Sequence, residues 1–170
     1  DEDTISRLGG DEFAIILNDL SSIEEAEYYA NRIHRKLTQP YSAEGHKIYI
    51  DLNIGISPFD LEHTKPEDIL RDADIAMHHA KENNLHIGVF DKELRRRFLE
   101  KVKLESELRF AVKRSELVLY FQPVVSLTGG TIVGFETLLR WRHPKLGFIT
   151  PDKFIPIAEE SGLIIPITKW

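Results

Sequence analysis

The sequence has no cysteine. Disulfides, thiolate metal ligands and cysteine nucleophiles are therefore excluded, and the composition suits the cytoplasm, where we expect the protein to reside. Long apolar runs are also missing. No stretch approaches the roughly 20 residues a membrane helix requires, so we expect any membrane anchor to lie outside these residues. The opening Asp1-Glu2-Asp3 is acidic, the opposite of a secretory leader's basic start. Positive charge is scarce: 22 Lys and Arg against 28 Asp and Glu give a net charge of −6. A broad nucleic-acid footprint is thereby excluded, and an anionic ligand would have to be held by a few local Lys or Arg or by a metal ion. The one dense basic run, Arg95-Arg96-Arg97, falls in a long helical pattern and reads as a solvated face. What remains is ordinary globular material, 42% hydrophobic and 29% charged over 170 residues, enough for one domain or pieces of two.

Residues 4–8 and 13–17 are short β-rich runs separated by Gly9-Gly10-Asp11-Glu12, a hairpin signal. Residues 23–38 follow with Ile23, Ala26, Ala30, Ile33 and Leu37 at helical spacing. Ser22 and Glu25 predict a capping box, and Pro40 follows the helix end. Residues 46–57 alternate strictly, with Ile48, Ile50, Leu52, Ile54 and Ile56 on one face, which predicts one half-buried strand. Thr64, Pro66 and Glu67 open a second helix to about Asn83, with Ile69, Leu70, Ala73, Ala76, Met77 and Ala80 inward. A short strand over 86–90 precedes a long charged helix capped by Asp91, its apolar stripe formed by Leu94, Phe98, Val102, Leu108 and Val112. We place the domain boundary in this helix. Beyond it come a strand over 117–122, a turn at Leu127-Thr128-Gly129-Gly130, a strand over 131–141, and a helix from Thr150-Pro151 to Gly162. There is no internal repeat and no low-complexity segment.

Two constellations carry chemistry. At the first, a glycine pair at a hairpin tip lets the backbone approach a ligand closely. Asp11 and Glu12 stand beside it, and carboxylates with phosphates suit a hard cation such as Mg²⁺. On spacing alone the signal is weak, and the same residues read more simply as a plain solvated turn. At the second, alternation along 131–141 puts Glu136, Leu138 and Arg140 on one face and Phe135, Thr137, Leu139 and Trp141 on the other. A carboxylate and a guanidinium sharing a strand face read either as an ion pair at a sheet end or as a metal ligand plus a phosphate clamp.

Arg7-Leu8-Gly9-Gly10-Asp11-Glu12-Phe13 resembles the signature of the GGDEF (diguanylate cyclase) family letter for letter. Asn53-Ile54-Gly55-Ile56-Ser57 resembles that family's central strand, and Asp72-Ala73-Asp74-Ile75-Ala76-Met77 with Ala80-Lys81 resembles its late helix, in the family's order and spacing. The resemblance implies that Gly9 and Gly10 lie against the nucleotide and that Asp11 ligates Mg²⁺. It implies further that Glu12 assists at the metal or the attacking hydroxyl, and that Lys81 contacts the terminal phosphates of GTP. The family reaction joins two GTP molecules, each held by one subunit of a homodimer, mainly by positioning and charge neutralisation. Three departures weigh against a working cyclase. The family's other metal-binding aspartate and its guanine-binding residues would precede residue 1. Asn84, Leu85 and His86 replace the usual Gly-Arg-Asn, so Leu85 stands where a phosphate-contacting arginine is expected, a loss that weakens GTP binding. His78 replaces a common tyrosine, a minor change. Asp3 falls on the aspartate of the Arg-x-x-Asp inhibitory product site found in some cyclases; the arginine would precede Asp1.

Tyr120-Phe121-Gln122-Pro123-Val124-Val125, Glu136-Thr137-Leu138-Leu139-Arg140-Trp141 and Phe154-Ile155-Pro156-Ile157-Ala158-Glu159 resemble the start of the EAL (cyclic-di-GMP phosphodiesterase) family, with Thr137 in place of the alanine of its name. That resemblance implies that Glu136 ligates one of two Mg²⁺ or Mn²⁺ ions, Arg140 contacts a phosphate of cyclic-di-GMP, and Gln122 lines the pocket. The family hydrolyses one phosphodiester by two-metal activation of water, on a modified TIM-type barrel. Its remaining ligands and catalytic lysine would lie beyond residue 170, and 116–170 is far short of the roughly 250 residues of a full barrel.

The fold expected is thus α+β: the C-terminal part of a GGDEF domain over 1–90, a connecting helix over 91–115, and the N-terminal part of an EAL domain over 116–170. Three functional readings compete: a parent protein that degrades cyclic-di-GMP with a weakened GGDEF half, a working cyclase, and a nucleotide-binding module without turnover. The 170-residue chain alone is expected to be inactive, and strand edges left unpaired in both halves are expected to invite aggregation. The histidines suggest no metal site at this level. Adjacent His78 and His79 point about 100° apart on a helix, and His143-Pro144 reads as loop.

Overall fold

The structure, a computed structural model, describes residues 2–59 and 65–170. It divides into two compact units, Asp1–Arg96 and Arg97–Trp170, each with its own core.

In the first unit, β1 (Thr4–Gly9) and β2 (Glu12–Ile16) form the expected antiparallel hairpin, with Gly10 at positive φ (53°) in the turn. Helix α1 (Ile23–Leu37) follows, burying Ala26 and Ala30. Its N-terminus differs from the expected capping box. The Ser22 side chain makes no capping bond, and Glu25 Oε2 accepts the Ser21 N–H at 2.9 Å. The Ser22 hydroxyl bonds Glu24 instead, which holds that carboxyl below its usual range. The strand expected over 46–57 is two pieces. One, β4 (His46–Ile48), pairs back on β3 (Tyr41–Ala43); the other, β5 (Ile54–Ile56), pairs in parallel with β6 (Ile87–Val89). Only the second piece has a neighbour across a layer, so Ile48 and Ile50 are left exposed.

Helix α2 (Pro66–Glu82) covers the β5–β6 pair. Thr64, expected to open this helix, lies outside the described residues. The contact is close. A Cβ on Gly55 would lie 1.9 Å from the Ala73 carbonyl oxygen, and one on Gly88 would lie 2.1 Å from that of Ala76. One inward assignment on α2 needs correction, since Leu70 is exposed; two residues not expected inward are buried, Asp72 fully and Ile75 in the core with Ala76, Phe90 and Leu94. Asp72 is accommodated because Arg95 meets it with two nitrogens, Nη2 at 2.7 Å and Nε at 3.2 Å from Oδ1. Arg95, expected on a solvated face, also lies 5.2 Å over the Phe90 ring. Asp91 Oδ1 accepts the Leu94 N–H at 2.6 Å, the cap expected for α3 (Lys92–Ala111). The apolar stripe of α3 is buried only near its ends, at Leu94 and Leu108, with Val112 just past the helix half-buried; Phe98 and Val102 are exposed.

In the second unit, β7 (Leu117–Val125), β8 (Ile132–His143) and β9 (Gly147–Ile149) form an antiparallel sheet in that order. The β7–β8 turn carries Gly130 at φ 64°, as its sequence predicts. Helix α4 (Pro151–Glu160) ends before Gly162 at φ 72°, and a short α5 (Ile164–Lys169) follows. Strand β9 and α5 were not expected from the sequence. Trp141, Phe154, Leu108, Leu117, Ile149 and Ile167 form the core, with Trp141 Nε1 donating to the buried Glu116 at 3.0 Å. His143, read as loop, is instead the buried last residue of β8. Its Nδ1 accepts the N–H groups of Lys145 and Leu146, both at 3.1 Å. Among the described residues no helix is long and apolar enough to cross a membrane.

Candidate functional site

The hairpin tip is shaped by Arg7. Its Nε donates to the Gly10 carbonyl oxygen at 3.0 Å, and its guanidinium lies 5.9 Å from the Phe13 ring centre. Sequence reasoning gave Arg7 no role. The signal was its position three residues before Gly10, within reach of that carbonyl. Gly9 pairs with Glu12 across the turn, which sets Asp11 and Glu12 at the apex beside the two glycines. A Cβ added at Gly9 or Gly10 would meet nothing within 4 Å, so the tip is open on its own account. Both carboxylates are exposed, and no described residue gives either a hydrogen bond or an ion pair. Their oxygens are therefore available to a hard cation, which fits the donor set a divalent ion needs. Lys81 is exposed in the last turn of α2, and no hydrogen bond or ion pair among the described residues joins it to the hairpin. Leu85 is exposed just beyond that helix. At the base of the hairpin, Asp3 Oδ1 accepts the Asn18 N–H at 3.0 Å, so one of its oxygens already serves the fold.

The second site is set by strand register. Gln122 stands directly opposite Glu136, Tyr120 opposite Leu138, and Val118 opposite Arg140. Since side chains alternate, these six share one face of the β7–β8 ladder. The other face carries Trp141 and Leu117, which enter the core. Thr137 pairs with Phe121 and belongs to that other face. Glu136 and Gln122 are exposed and Arg140 is half-buried, with its Nη1 donating to the Leu139 carbonyl oxygen at 2.8 Å. Four residues along a strand separate Glu136 and Arg140 by about 13 Å. No ion pair joins them among the described residues, so Glu136, like Asp11, keeps free oxygens for a cation.

Residues 1–86 match the family described as "Diguanylate cyclase, GGDEF domain", and residues 105–170 match "EAL domain". The chain belongs to the GGDEF–EAL family. Both domain families are metal-dependent. The chain is 36% identical over 170 residues to the "Bifunctional diguanylate cyclase/cyclic di-GMP phosphodiesterase MucR" of Pseudomonas aeruginosa, covering 99% of this chain and 25% of that protein. It is 33% identical over 173 residues to the "Cyclic di-GMP phosphodiesterase NbdA" of the same organism, covering 100% of this chain and 22% of NbdA. Among solved structures, a "PaMucR Phosphodiesterase, c-di-GMP complex" is 48% identical, covering 40% of this chain and 28% of that one at a TM-score of 0.39. The chain spans about a quarter of the length of the curated relatives it matches. Within the family, the hairpin tip belongs to the GGDEF half and the Gln122–Glu136 face to the EAL segment.

Proposed function

We propose that the whole protein to which this GGDEF–EAL chain belongs acts in cyclic-di-GMP signalling and hydrolyses that dinucleotide through its EAL half. The observation that carries this reading is the β7–β8 register, which sets Gln122 against Glu136 and brings Arg140 onto the same face. Glu136 ligates one of two Mg²⁺ or Mn²⁺ ions, Gln122 lines the pocket, and Arg140 takes a substrate phosphate. The ions, when bound, activate water and neutralise the phosphodiester. This chain's own contribution is to hold one ligand, orient the dinucleotide and clamp its charge. We assign 1–90 to the GGDEF half, 91–115 to a connecting helix and 116–170 to the EAL half, in a cytoplasmic assembly that is dimeric in the parent.

The GGDEF half keeps Gly9 and Gly10 against the nucleotide, Asp11 and Glu12 at the metal, and Lys81 at the phosphates of GTP. Leu85, exposed where an arginine is expected, favours a weakened or regulatory GGDEF half over a working cyclase. Asp3 belongs to an inhibitory product site in this reading.

The test is cyclic-di-GMP turnover by the full-length protein with Mg²⁺. Glu136→Ala abolishes hydrolysis while the protein stays folded; unchanged turnover refutes the assignment. The 170-residue chain alone turns over neither cyclic-di-GMP nor GTP, and measurable product from it would overturn the division into two incomplete halves.

A further inference from the structure

Three side chains outside that reading converge in the first unit. His34 lies in the last turn of α1, Asp51 precedes β5, and His86 immediately precedes β6. They are far apart in sequence, and the parallel β5–β6 pairing brings them together. The Ile54 N–H donates to the His86 carbonyl oxygen at 2.8 Å, and Asn53 Nδ2 donates to the Leu85 carbonyl oxygen at 2.7 Å. These two bonds hold both strand entries side by side. The His34 and His86 rings lie 4.3 Å apart, centre to centre, inclined by 30°. One ligand atom from each of His34, Asp51 and His86 lies within 4.8 Å of the others. His34 Nε2 is buried and has no hydrogen-bond partner among the described residues.

A buried ring nitrogen without a partner is an anomaly that a ligand resolves, since buried polar atoms are nearly always satisfied. Two imidazole nitrogens and one carboxylate oxygen form a donor set for a borderline divalent transition metal rather than for Mg²⁺, which prefers oxygen alone. We propose that His34, Asp51 and His86 bind one divalent transition-metal ion, Zn²⁺ by preference. Three protein ligands leave the fourth position to water. Such an ion ties the C-terminal end of α1 to the entries of β5 and β6. It is distinct from the hard-cation sites at Asp11 and Glu136, and it stands whether or not those assignments hold. Neither His78 nor His79 belongs to this grouping, and His78 Nδ1 faces Asp74 at 3.2 Å on its own helix.

The experiment titrates the purified full chain with Co²⁺, whose visible absorption reports a four-coordinate site, and then displaces it with Zn²⁺. The expected result is one Co²⁺ bound per chain. His86→Gln and Asp51→Asn, both at exposed positions that leave the core intact, each weaken binding by more than the roughly 10- to 100-fold that loss of an outer-shell partner costs. His46→Gln and His78→Gln leave it unchanged. As a second readout, Zn²⁺ raises the melting temperature of the parent chain and of His78→Gln but not of His86→Gln, and a chelator reverses the rise. Absence of Co²⁺ binding overturns the proposal. So does binding that survives both His86→Gln and Asp51→Asn, or that falls equally in His46→Gln.

Discussion

Asp72 lies wholly buried against the Arg95 guanidinium, while Asp11 stands in solvent at a hairpin tip with no partner among the described residues. The same side chain thus serves the fold at one position and is open to a ligand at the other, and substitutions separate the two roles. Removing one partner of a buried ion pair typically costs 3–5 kcal/mol, because the other charge is left buried. Arg95 is about a third exposed, and Arg71 Nε remains 4.0 Å from Asp72, so solvent and that neighbour offset part of the loss. Arg95→Ala should therefore destabilise the chain by about 2–3 kcal/mol in denaturant unfolding, whereas Asp11→Ala should leave the midpoint within about 0.5 kcal/mol. The glycines of the tip separate in the same way. Gly9→Ala meets no steric contact and should leave stability unchanged, so any effect on nucleotide binding reports the ligand alone. Gly10 sits at φ 53°, where a side chain costs about 1–2 kcal/mol, so Gly10→Ala should lower the midpoint as well.

Among the elements, the β5–α2–β6 unit is the most tightly constrained. The helix backbone lies against Gly55 and Gly88 so closely that a methyl group on either cannot be fitted without moving α2. Gly55→Ala and Gly88→Ala should each cost at least about 1–3 kcal/mol by overpacking, seen as a fall in melting temperature. A neutral outcome at both would mean that α2 rides farther from the strands than described. Elements with a local signal were legible in the sequence. The glycine-tipped hairpin, α1, α2 and the alternation in β8 follow from turn chemistry and periodicity, and alternation alone put Glu136 and Arg140 on one face. Features decided by distant partners were not. The 46–57 run alternates throughout, yet it breaks in two: residues 46–48 turn back on 41–43, and residues 54–56 pair with a strand some thirty residues onward. Asp72 interrupts an apolar helix face, and its burial is intelligible only once Arg95 is placed 23 residues later. The His34–Asp51–His86 grouping was invisible for the same reason: no spacing in the sequence announces residues that meet through a parallel crossover. The Gln122–Glu136 pairing lay between, since the faces were readable but the register needed both strands.

For the whole molecule, the two cores share no residue. Ile75, Ala76, Phe90 and Leu94 form one, and Trp141, Phe154, Leu108 and their neighbours form the other. The middle of α3 contributes to neither, with Phe98, Leu99 and Val102 all exposed. Cooperativity in unfolding comes from shared burial, so two cores without shared residues should melt as two transitions. The sequence supplies its own reporter for this. Both tryptophans, Trp141 and Trp170, lie in the second unit. Trp141 is fully buried there, edge-on to Phe154 with ring centres 5.8 Å apart, so its fluorescence follows the loss of that core alone. Far-UV circular dichroism sees the helices of both units. Gly88→Ala should therefore shift the circular dichroism transition downward while the tryptophan transition stays in place. Trp141→Phe, which removes the indole and its bond to Glu116, should do the reverse: it lowers the part of the circular dichroism melt that belongs to the second unit by about 1–3 kcal/mol and leaves the first unit's part unmoved. A common shift of both probes in the Gly88→Ala variant would show instead that the chain melts as one cooperative body, with α3 transmitting stability between cores that have no side chain in common.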